Sequence, residues 1–360
     1  MGVKMRVGSW NMYNDIWHSV REATESITPT RFKSGSRVKF LRDRFSCTPF
    51  DIMCLQEVSP VMIPSLQKEC SYYKMTLVAP PQSTLTPNSN NCCVLFDKKF
   101  KLLGKKHFNL SEAVSTHLLR YAHQGESDIE DAFIKELRMR TSMATMLLLE
   151  LPQTKTLLSV CNCHIHWNPA YADVKVFHTF LIVKELFHFV RSALERFPFV
   201  PLLLVGDFNS TPRLCAVQIA LPTLLASNCL SQHLQGPVAD NQLSGVYELI
   251  TTGRLPTKHP HHPAELRNDE AFLRYPDLLV DPFQSAFKEK IPFVEQVNGA
   301  EPEFTNKTTT FSGCIDFVFF KGLIPLSAKT VPEDLGKSEV LPNGKIPSDH
   351  LLLASEFFLV

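Results

Sequence analysis

Two polar motifs, far apart in the chain, each adjoin a run of apolar residues. Residues 205–209 (VGDFN) continue the run 202–204 (LLL), and residues 347–350 (PSDH) precede the run 351–353 (LLL). Such runs are typical of buried strands, so both motifs place carboxylate, amide and imidazole groups at strand ends. A hard metal ion and a phosphate ester require these groups. The two motifs together therefore predict metal-assisted phosphate chemistry.

Polar residues stand at the end of a strand-like run in several other places. They are Asn11, Gln56 with Glu57, Asn162 with His164, Asn306, and Asp316. A single Asn or Asp after a strand is usually a turn former or a cap, and each residue taken alone favours that structural interpretation. Their joint occurrence, in order along the chain, indicates one shared site instead.

The elements that would position these residues alternate between strands and helices, as in an α/β protein. Apolar runs predict strands at residues 5–10, 51–55, 75–79, 92–96, 143–151, 157–163, 202–205, 314–320 and 351–359. Helical spacing predicts helices at residues 37–45, 61–69, 172–195 and 214–219, and the stretch 111–140 is expected to hold a helix that leans over the site. Because strands lie near both ends and no linker separates them, we expect a single domain over residues 1–360.

Composition and charge exclude several functions. With 44% hydrophobic and 20% charged residues, the chain is typical of a globular protein with a large core. A formal net charge of only +1 argues against a tight binder of duplex DNA, because affinity for nucleic acid must then come from a local groove. No run is long enough for a transmembrane helix, and the first predicted strand leaves no room for a signal peptide. We therefore expect a cytoplasmic protein, with a nuclear location also open, and no membrane partner.

The ten cysteines are expected to be reduced thiols, since the chain shows no secretory signal. The segment 161–166 (CNCHIH) looks like a zinc cluster. Alternation along a strand, however, places Cys161 and Cys163 on one face and Asn162 and His164 on the other. These side chains cannot share one ion while the strand is intact, so zinc is disfavoured.

Five motifs resemble, in order, those of the exonuclease–endonuclease–phosphatase superfamily. They are residues 9–11 (SWN), 55–58 (LQEV), 206–210 (GDFNS), 315–317 (IDF) and 348–350 (SDH). Longer segments are similar to the deadenylase branch, which includes carbon-catabolite-repressor-type nucleases, nocturnin and the angel proteins: residues 161–169 (CNCHIHWNP), 173–175 (DVK), 244–249 (SGVYEL) and 301–306 (EPEFTN). The resemblance implies an exonuclease III/DNase I-like fold. This fold is a four-layer α/β sandwich of two mixed β-sheets flanked by helices, with the active site at one edge.

The resemblance also implies roles for the metal-binding residues. Glu57 is similar to the principal Mg²⁺ ligand of the family and Asn11 to the residue that supports it, while Asp349 resembles a ligand of a second metal. Asp207 looks like a metal ligand that binds or activates the attacking water, and Asn209 like the residue that holds a phosphate oxygen. The resemblance implies one or two Mg²⁺ ions, with Mn²⁺ as a substitute.

Further roles follow from the same resemblance. His350 is similar to the catalytic imidazole, oriented by Asp316, and His164 to the residue that stabilises the pentacovalent phosphate. Pro169 and Phe304 match the positions that sandwich the terminal base. Asn306, which ends the same motif as Phe304, is assigned to substrate binding.

These roles imply a Mg²⁺-dependent 3′-exoribonuclease, of the poly(A)-specific type, acting on the 3′ end of single-stranded RNA. The alternative is a metal-dependent phosphatase or phosphodiesterase on a terminal or small-molecule phosphate, such as a 2′-phosphate or a 2′,3′-cyclic phosphate, because fold and metal site do not choose the leaving group. A non-catalytic RNA-binding scaffold is disfavoured, since no expected catalytic residue is missing. No leucine-rich-repeat docking segment is expected before the domain, and protein partners stay open.

Several positions depart from the family pattern or are interpreted as structural. Ser142 stands where relatives often carry Asn, so substrate contacts there are expected to differ. His166 and Trp167 are interpreted as packing residues, and Lys175 as a solvated helix residue. The histidines of the proline-rich loop 255–263 are interpreted as exposed side chains and not as metal ligands: His259, His261 and His262.

Overall fold

The computed structural model describes residues 2–14, 34–84, 91–117, 132–140, 142–214, 242–266, 277–288, 299–333, 335 and 339–359. Its strands are β1 (Val3–Asn11), β2 (Ile52–Val58), β3 (Met75–Val78), β4 (Asn91–Asp97), β5 (Lys101–Asn109), β6 (Met143–Leu151), β7 (Thr156–His164), β8 (Leu202–Asp207), β9 (Arg254–Leu255), β10 (Leu278–Leu279), β11 (Gln284–Ser285), β12 (Asn306–Lys307), β13 (Ser312–Gly313), β14 (Asp316–Lys321), β15 (Ile324–Val331) and β16 (Leu352–Leu359). Its α-helices are α1 (Ser34–Cys47), α2 (Ile63–Tyr72), α3 (Leu110–His117), α4 (Ala132–Met139), α5 (Ala172–Leu194), α6 (Gly245–Thr252) and α7 (Pro263–Leu266).

Two six-stranded sheets form the centre of the molecule. Sheet A has the strand order β15-β16-β1-β2-β4-β3, and sheet B has the order β11-β14-β8-β7-β6-β5. Each sheet is mixed, because β1 and β2 run parallel in sheet A and β7 and β8 run parallel in sheet B, whereas the other neighbours are antiparallel. The parallel pair therefore lies inside each sheet, with antiparallel strands on both sides of it.

The two sheets pack face to face through the side chains that alternate along each strand. In β7, Val160 lies in the core between the sheets, whereas Cys161 and Cys163 lie in the core on the outer face of sheet B. Asn162 faces sheet A, since its Nδ2 donates to the carbonyl oxygen of Leu55 at 2.9 Å. The predicted separation of the two cysteines from Asn162 is confirmed.

Helices cover the outer face of each sheet and complete the four layers. α1 and α2 pack on sheet A through buried side chains that include Val38, Leu41, Phe45, Ile63 and Leu66. α3, α4, α5 and α6 pack on sheet B through Val114, Leu137, Phe177, Leu181 and Val246, among others. The order helix, sheet, sheet, helix is the α/β sandwich expected from the sequence, and the predicted fold class is confirmed.

The described cysteines contribute to these cores. All eight of them are free thiols, and every one except Cys47 is buried. Burial raises the pKa of Cys54 and Cys161 far above the ordinary value, so these thiols stay protonated. In the described part of the chain, the expected reduced thiols are present.

Every predicted strand is present, with small differences at the ends, but two long strands escaped prediction. β5 and β15 each form the edge of a sheet. Both carry lysines, and β15 also contains Pro325. Polar and proline residues suit edge strands, where they discourage pairing with other chains, and they hide the apolar alternation.

The helix predictions have mixed outcomes. Residues 37–45, 61–69 and 172–195 correspond to α1, to a 3-10 turn followed by α2, and to α5. The segment 214–219 lies outside the described residues except for its first position. In the stretch 111–140, the described ends form α3 and α4, which pack on sheet B. Residues 118–131, where the expected helix over the site could lie, are outside the described residues. Among the described helices, none combines the length and apolar character needed to cross a membrane.

Candidate active site

Polar side chains from both sheets meet at one edge of the sandwich. β1, β2, β7 and β8 end there, β14 begins there, and β16 follows closely after His350. Parallel strands end at the same edge and their antiparallel neighbours begin there, so the topology gathers residues from distant parts of the chain. The side chains brought together are Asn11, Glu57, His164, Asp207, Asp316 and His350.

Asp207 is the centre of this group. It is in register with His164 on the parallel β7 and with Asp316 on the antiparallel β14, so the three residues stand in one row. Asn11 Nδ2 donates to Asp207 Oδ2 at 2.9 Å, and the backbone N–H of Asn209 donates to Asp207 Oδ1 at 2.8 Å. Both carboxylate oxygens are therefore held in a fixed orientation.

Two left-handed backbone positions shape the turn that carries Asp207. Gly206 has φ 146°, and a Cβ there would lie 1.9 Å from the carbonyl oxygen of Cys163. Asn209 has φ 45°, its amide donates to the carbonyl oxygen of Ile165 at 2.9 Å, and its own carbonyl oxygen accepts from Lys175 Nζ at 2.7 Å. Strained positions of this kind persist where surrounding contacts fix them, often at functional sites.

His350 and Asp316 form a hydrogen-bonded pair. His350 Nδ1 lies 2.8 Å from Asp316 Oδ2, which also accepts from the Thr305 hydroxyl at 2.6 Å. A carboxylate only accepts, so Nδ1 carries a proton and Nε2 faces the site. His350 Nε2 lies 3.7 Å from Asp207 Oδ2 and 3.9 Å from Asp349 Oδ1. The predicted contact between Asp316 and the imidazole is present.

His164 approaches the same carboxylate from β7. Its Nε2 lies 3.6 Å from Asp207 Oδ2 and 3.8 Å from Glu57 Oε1. Two imidazole nitrogens, from His164 and His350, thus converge on one oxygen of Asp207. This arrangement places two donors where a phosphoryl group next to Asp207 would develop negative charge.

Glu57 reaches the site because of a β-bulge in β2. The register between β2 and β4 shifts between Leu55 and Val58, and Glu57 has φ 53°. Simple alternation from Leu55, which packs against the helices, would turn Glu57 away from the site. The bulge brings it inward, where the Asn14 backbone N–H donates to Glu57 Oε2 at 2.9 Å and Asn11 Nδ2 donates to Oε1 at 3.2 Å.

Burial and neighbouring charges set the protonation states at the site. Burial lowers the pKa of His350, but nearby carboxylates, chiefly that of Asp316, outweigh burial and raise it to about 10. This imidazole is therefore charged at neutral pH. Burial, followed by the charge of Asp316, raises the pKa of Asp207, whereas His350 and His164 lower it.

The oxygen donors of the site fit a hard divalent cation. Glu57 and Asp207 present carboxylates on either side of the Asn11 amide, and Asp349 adds a carboxylate beside His350. Mg²⁺ prefers one or two carboxylates together with water and phosphate oxygens, which this sparse set would allow. A cation here would also offset the cost of a carboxylate buried at Asp207.

The contacts of Asn11 and Asp316 narrow the choice of metal-binding residues. Asn11 Oδ1 accepts from the Tyr13 backbone N–H at 2.9 Å, so the amide turns its nitrogen toward the two carboxylates. Direct ligation by Asn11 stays a prediction. Ligand atoms of Asp207, Asp316 and His350 lie within 4.8 Å of one another. Because Asp316 Oδ2 already bonds to His350 and Thr305, the carboxylates of Glu57 and Asp207 are the better candidates to hold a cation.

The residues predicted to bind substrate lie around this centre. Asn306 pairs with His350 in an isolated antiparallel bridge. Phe304 is half-buried against a small apolar cluster of the 341–351 segment, and Lys307 Nζ lies 4.6 Å from its ring centroid. Pro169 is exposed and begins a 3-10 turn after β7. The base clamp by Pro169 and Phe304 stays a prediction.

Thr305 and Ser348 were absent from the predicted site, although both stand inside its motifs. The Thr305 hydroxyl donates to Asp316 and accepts from two backbone N–H groups. Ser348 Oγ donates to the Asn11 carbonyl oxygen at 2.7 Å and accepts from the His350 backbone N–H at 3.1 Å. The polar character of both residues was visible in the sequence. Only the fold shows that Thr305 bonds to Asp316 and that Ser348 bonds to Asn11.

Two interpretations from the sequence were wrong because of burial. Lys175 is only 4% exposed, and burial lowers its pKa to about 7. In the proline-rich loop, His259 and His262 are buried, and His261 accepts from the Gly245 backbone N–H at 3.1 Å. These imidazoles form hydrogen bonds with backbone groups in and beside the loop, which explains why they are shielded from solvent.

The expectations for the neighbours of the β7 end have mixed outcomes. Ser142 is buried, lies 2.7 Å from His178 Nδ1, and accepts from the His166 backbone N–H at 2.8 Å, so this position supports packing. His166 is buried against Tyr171, as expected. Trp167 is 60% exposed, so the expectation that it packs was wrong.

Two curated relatives show how far the sequence similarity extends. A probable CCR4-Not complex 3'-5'-exoribonuclease subunit Ccr4 from Enterocytozoon bieneusi is 24% identical over 337 residues, which cover 89% of this chain and 58% of the relative. The CCR4-Not complex 3'-5'-exoribonuclease subunit Ccr4 of Saccharomyces cerevisiae is 25% identical over 343 residues, which cover 88% of this chain and 34% of the relative. The chain thus spans 34% to 58% of the length of these two relatives.

Solved structures and a family model complete the comparison. The structure of ANGEL2, a 2',3'-cyclic phosphatase, in complex with adenosine-2',3'-vanadate has a TM-score of 0.66 at 18% identity and covers 99% of this chain and 96% of its own. The human Nocturnin catalytic domain with bound sulfate has a TM-score of 0.57 at 16% identity. The match covers 100% of this chain and 97% of the Nocturnin chain. At such low identity, the TM-scores of these two structures show a shared fold and nothing finer. The model of the Endonuclease/Exonuclease/phosphatase family matches residues 8–350, and the chain belongs to that family.

Proposed function

We propose that this chain is a Mg²⁺-dependent phosphodiesterase that shortens RNA from its 3′ end, with poly(A) as its preferred substrate. The observation that carries the proposal is the convergence of two imidazole nitrogens on Asp207, next to Glu57. The Ccr4 relatives, which are named as 3'-5'-exoribonucleases, support RNA as the substrate class. A cytoplasmic location would suit this role.

The side chains have separate parts in the proposed reaction. Glu57 and Asp207, with Asp349 nearby, would hold Mg²⁺, which supplies positive charge that neutralises the phosphate. Asp207 would orient the attacking water and accept its proton as the water oxygen bonds to phosphorus. The bond between phosphorus and the 3′ oxygen of the remaining strand breaks, and that oxygen takes a proton from solvent. His350, which is charged, and His164 would donate to the phosphoryl oxygens as negative charge develops on them. Asp316 keeps the His350 imidazole charged and correctly turned.

A second candidate is a phosphatase or phosphodiesterase on a terminal or small phosphate, such as a 2′,3′-cyclic phosphate. The observation in its favour is that the Nε2 atoms of His164 and His350 both lie within 3.7 Å of Asp207 Oδ2, where they would contact the phosphoryl group of either substrate. The same centre could therefore serve either substrate. Groups that bind the rest of the substrate decide between them.

One experiment separates the two candidates. Purified protein with Mg²⁺ is offered, in parallel, oligoadenylate RNA, a non-adenylated RNA, an RNA with a 2′,3′-cyclic phosphate end, and NADPH. We expect stepwise shortening of the oligoadenylate with release of mononucleotides, slower shortening of the other RNA, and no activity in chelator. Turnover confined to the cyclic phosphate or to NADPH would reject the exoribonuclease and select the second candidate.

A further inference from the structure

Two large aromatic side chains near the candidate site remain in solvent. Trp167 is 60% exposed and Phe311 is 42% exposed. A single exposed apolar residue is common on protein surfaces. These two differ from such residues because the loop that carries Trp167 is hydrogen-bonded to Asn209 and the ring of Phe311 lies near Thr211. Both partners belong to the segment that leaves the centre of the site directly after Asp207.

The loop that follows β7 carries Trp167 and is hydrogen-bonded to this segment. Trp167 stands shortly after His164, and the Asn209 amide donates to the carbonyl oxygen of Ile165 at 2.9 Å. The neighbouring His166 is buried, its backbone N–H is hydrogen-bonded, and its ring centroid lies 6.1 Å from that of Trp167. The backbone beneath the indole is therefore fixed, while the ring itself is open to a ligand.

Phe311 reaches the same segment from the β12–β13 hairpin. The backbone N–H of Thr308 donates to the Phe311 carbonyl oxygen at 2.7 Å and closes the hairpin turn. The ring folds back over Gly313, since a Cβ there would lie 2.8 Å from Phe311 Cζ and 3.2 Å from Thr211 Cγ2. The ring is thus seated beside Thr211, close to Asn209, and part of it faces solvent.

Positive side chains near the site are engaged with protein groups. Arg140 forms an ion pair with Glu136 at 2.9 Å, and its guanidinium lies 4.0 Å from the Tyr171 ring centroid. Lys175 is buried and donates to a backbone carbonyl oxygen. With a formal net charge of +1, the chain has little general attraction for a phosphate backbone. Aromatic rings that stack on successive bases can hold a single strand and need less charge.

We infer that Trp167 and Phe311 are stacking platforms for bases of a single-stranded nucleic acid, beyond the terminal base. This inference rests on the proposed function, because it takes the substrate to be a strand whose end lies at Asp207. The platforms make the length of the strand a determinant of affinity. They therefore favour a strand over an isolated phosphate, which would contact neither ring.

The test compares wild-type protein with the Trp167→Ala, Phe311→Ala and Gly313→Ala variants. Gly313→Ala keeps the aromatic ring but pushes it from its seat, since the added Cβ would lie 2.8 Å from the ring. Tyr72→Ala is the matched control, because this ring is 78% exposed at the end of α2, on the other sheet. Binding of labelled hexaadenylate is measured by fluorescence anisotropy in chelator. Hydrolysis of hexaadenylate and of bis(4-nitrophenyl) phosphate is measured in Mg²⁺, with thermal melts as a check on folding.

We expect each platform variant to bind hexaadenylate about fivefold more weakly or worse, with hydrolysis of the small diester and the melting temperature unchanged. Tyr72→Ala should behave as the wild type does. Equal binding by all proteins, or equal losses on both substrates, would overturn the platforms even if the wild type shortens RNA. Binding that depends on the platforms, by a wild type that does not shorten RNA, would keep them and reject the proposed function. A wild type that binds no hexaadenylate in chelator would overturn the platforms, and its hydrolysis of hexaadenylate in Mg²⁺ decides the proposed function separately.

Discussion

At the scale of single residues, the site concentrates charge and hydrogen bonds around one carboxylate. Asp207 accepts from Asn11 and from the Asn209 backbone, and two imidazole Nε2 atoms lie within 3.7 Å of its Oδ2. Burial raises the pKa of Asp207, so a charged carboxylate here is held at a cost to stability. Such costly arrangements cluster where chemistry requires them.

The first prediction concerns the metal. Glu57→Gln should lower the rate in Mg²⁺ on the order of a hundredfold or more, because a neutral amide cannot replace a carboxylate that holds the cation. The melting temperature should stay the same or rise, since Gln keeps an acceptor for Asn14 and removes a charge beside Asp207. Glu303→Gln, at an exposed carboxylate near the site, is the matched control. Full turnover by Glu57→Gln in chelator would contradict the metal assignment.

The second prediction concerns the pair of His350 and Asp316. Asp316→Asn should lower the rate by roughly a hundredfold, because the imidazole loses the carboxylate that orients it and raises its pKa. Without that carboxylate the imidazolium loses its proton at lower pH, so the alkaline limb of the pH–rate profile should move toward neutral pH. Asp277→Asn, at a carboxylate paired with Arg254, is the control. A folded Asp316→Asn protein with an unchanged profile would refute the pair.

The third prediction concerns the terminal base. If Phe304 stacks on it, Phe304→Ala should reduce poly(A) cleavage by roughly 5- to 150-fold while sparing a small phosphodiester. Phe304 also packs against the apolar cluster of the 341–351 segment, so a thermal melt must accompany the rates. Equal losses on both substrates, or a large drop in melting temperature with unchanged preference, would assign this ring to packing.

At the scale of elements, regular strand pairing aligns His164, Asp207 and Asp316, whereas irregular backbone places Glu57 and Asn209. The bulge in β2 turns Glu57 inward, and the left-handed positions at Gly206 and Asn209 turn the chain sharply after β8. α5 supports this turn, because Lys175 donates from the helix to the Asn209 carbonyl oxygen. The site therefore depends on contacts between elements that are separate in sequence.

The fourth prediction tests this turn. Gly206→Ala should destabilise the protein by about 2 kcal/mol or more, because the added Cβ would overlap the Cys163 carbonyl oxygen and φ 146° strains any other residue. Denaturant unfolding of the soluble fraction, or loss of that fraction, measures the effect. Gly344→Ala is the control, since no atom lies within 4 Å of its added Cβ. Equal stability of the two variants would contradict the prediction, because it would mean that β7 and β8 can move apart at no cost in free energy.

At the scale of the whole molecule, a polar contact joins the two sheets beneath the site. Gln56 Nε2 donates to Asn162 Oδ1 at 2.7 Å, and Asn162 Nδ2 donates to the carbonyl oxygens of Leu55 and Cys93. Both side chains are fully buried. A buried network that satisfies backbone groups specifies one alignment of the sheets and thereby the distance between Glu57 and Asp207.

The fifth prediction concerns stability against pH. Burial lowers the pKa of His178 to about 3, below the value of about 6.5 expected in the unfolded chain. Between these values the unfolded state binds the extra proton, so stability is complete above pH 6.5 and falls as the pH drops toward 3. The fall is up to about 1.4 kcal/mol per pH unit for this histidine. Thermal or urea melts between pH 7.5 and pH 5 should show it.

His178→Gln should flatten this pH dependence, because the side chain no longer titrates. His188→Gln, at an exposed position of the same helix, should leave the dependence as it is. His166 and His261, whose pKa values burial lowers to about 4 and about 3, would account for a remaining slope. A His178→Gln protein with the same pH dependence as the wild type would show that folding does not keep this imidazole neutral.

Much of the fold follows from the sequence because alternation is a local property. Val160, Asn162 and His164 share one face of β7 because side chains alternate along any strand. The change from apolar to polar residues along β7 marks the edge of the sandwich. The family motifs then predicted Asp207, Asp316 and His350 as neighbours, and the topology places them together. Edge strands were missed because their lysines mask this alternation.

The sequence by itself thus determined the strand faces, the order of the motifs and the kind of chemistry. Only the tertiary structure decided the rest. It turned Glu57 inward through a bulge, buried Lys175 and the loop histidines, and left Trp167 in solvent. The physical reason is that exposure and hydrogen-bond partners depend on contacts between segments far apart in the chain, whereas side-chain periodicity depends only on neighbours.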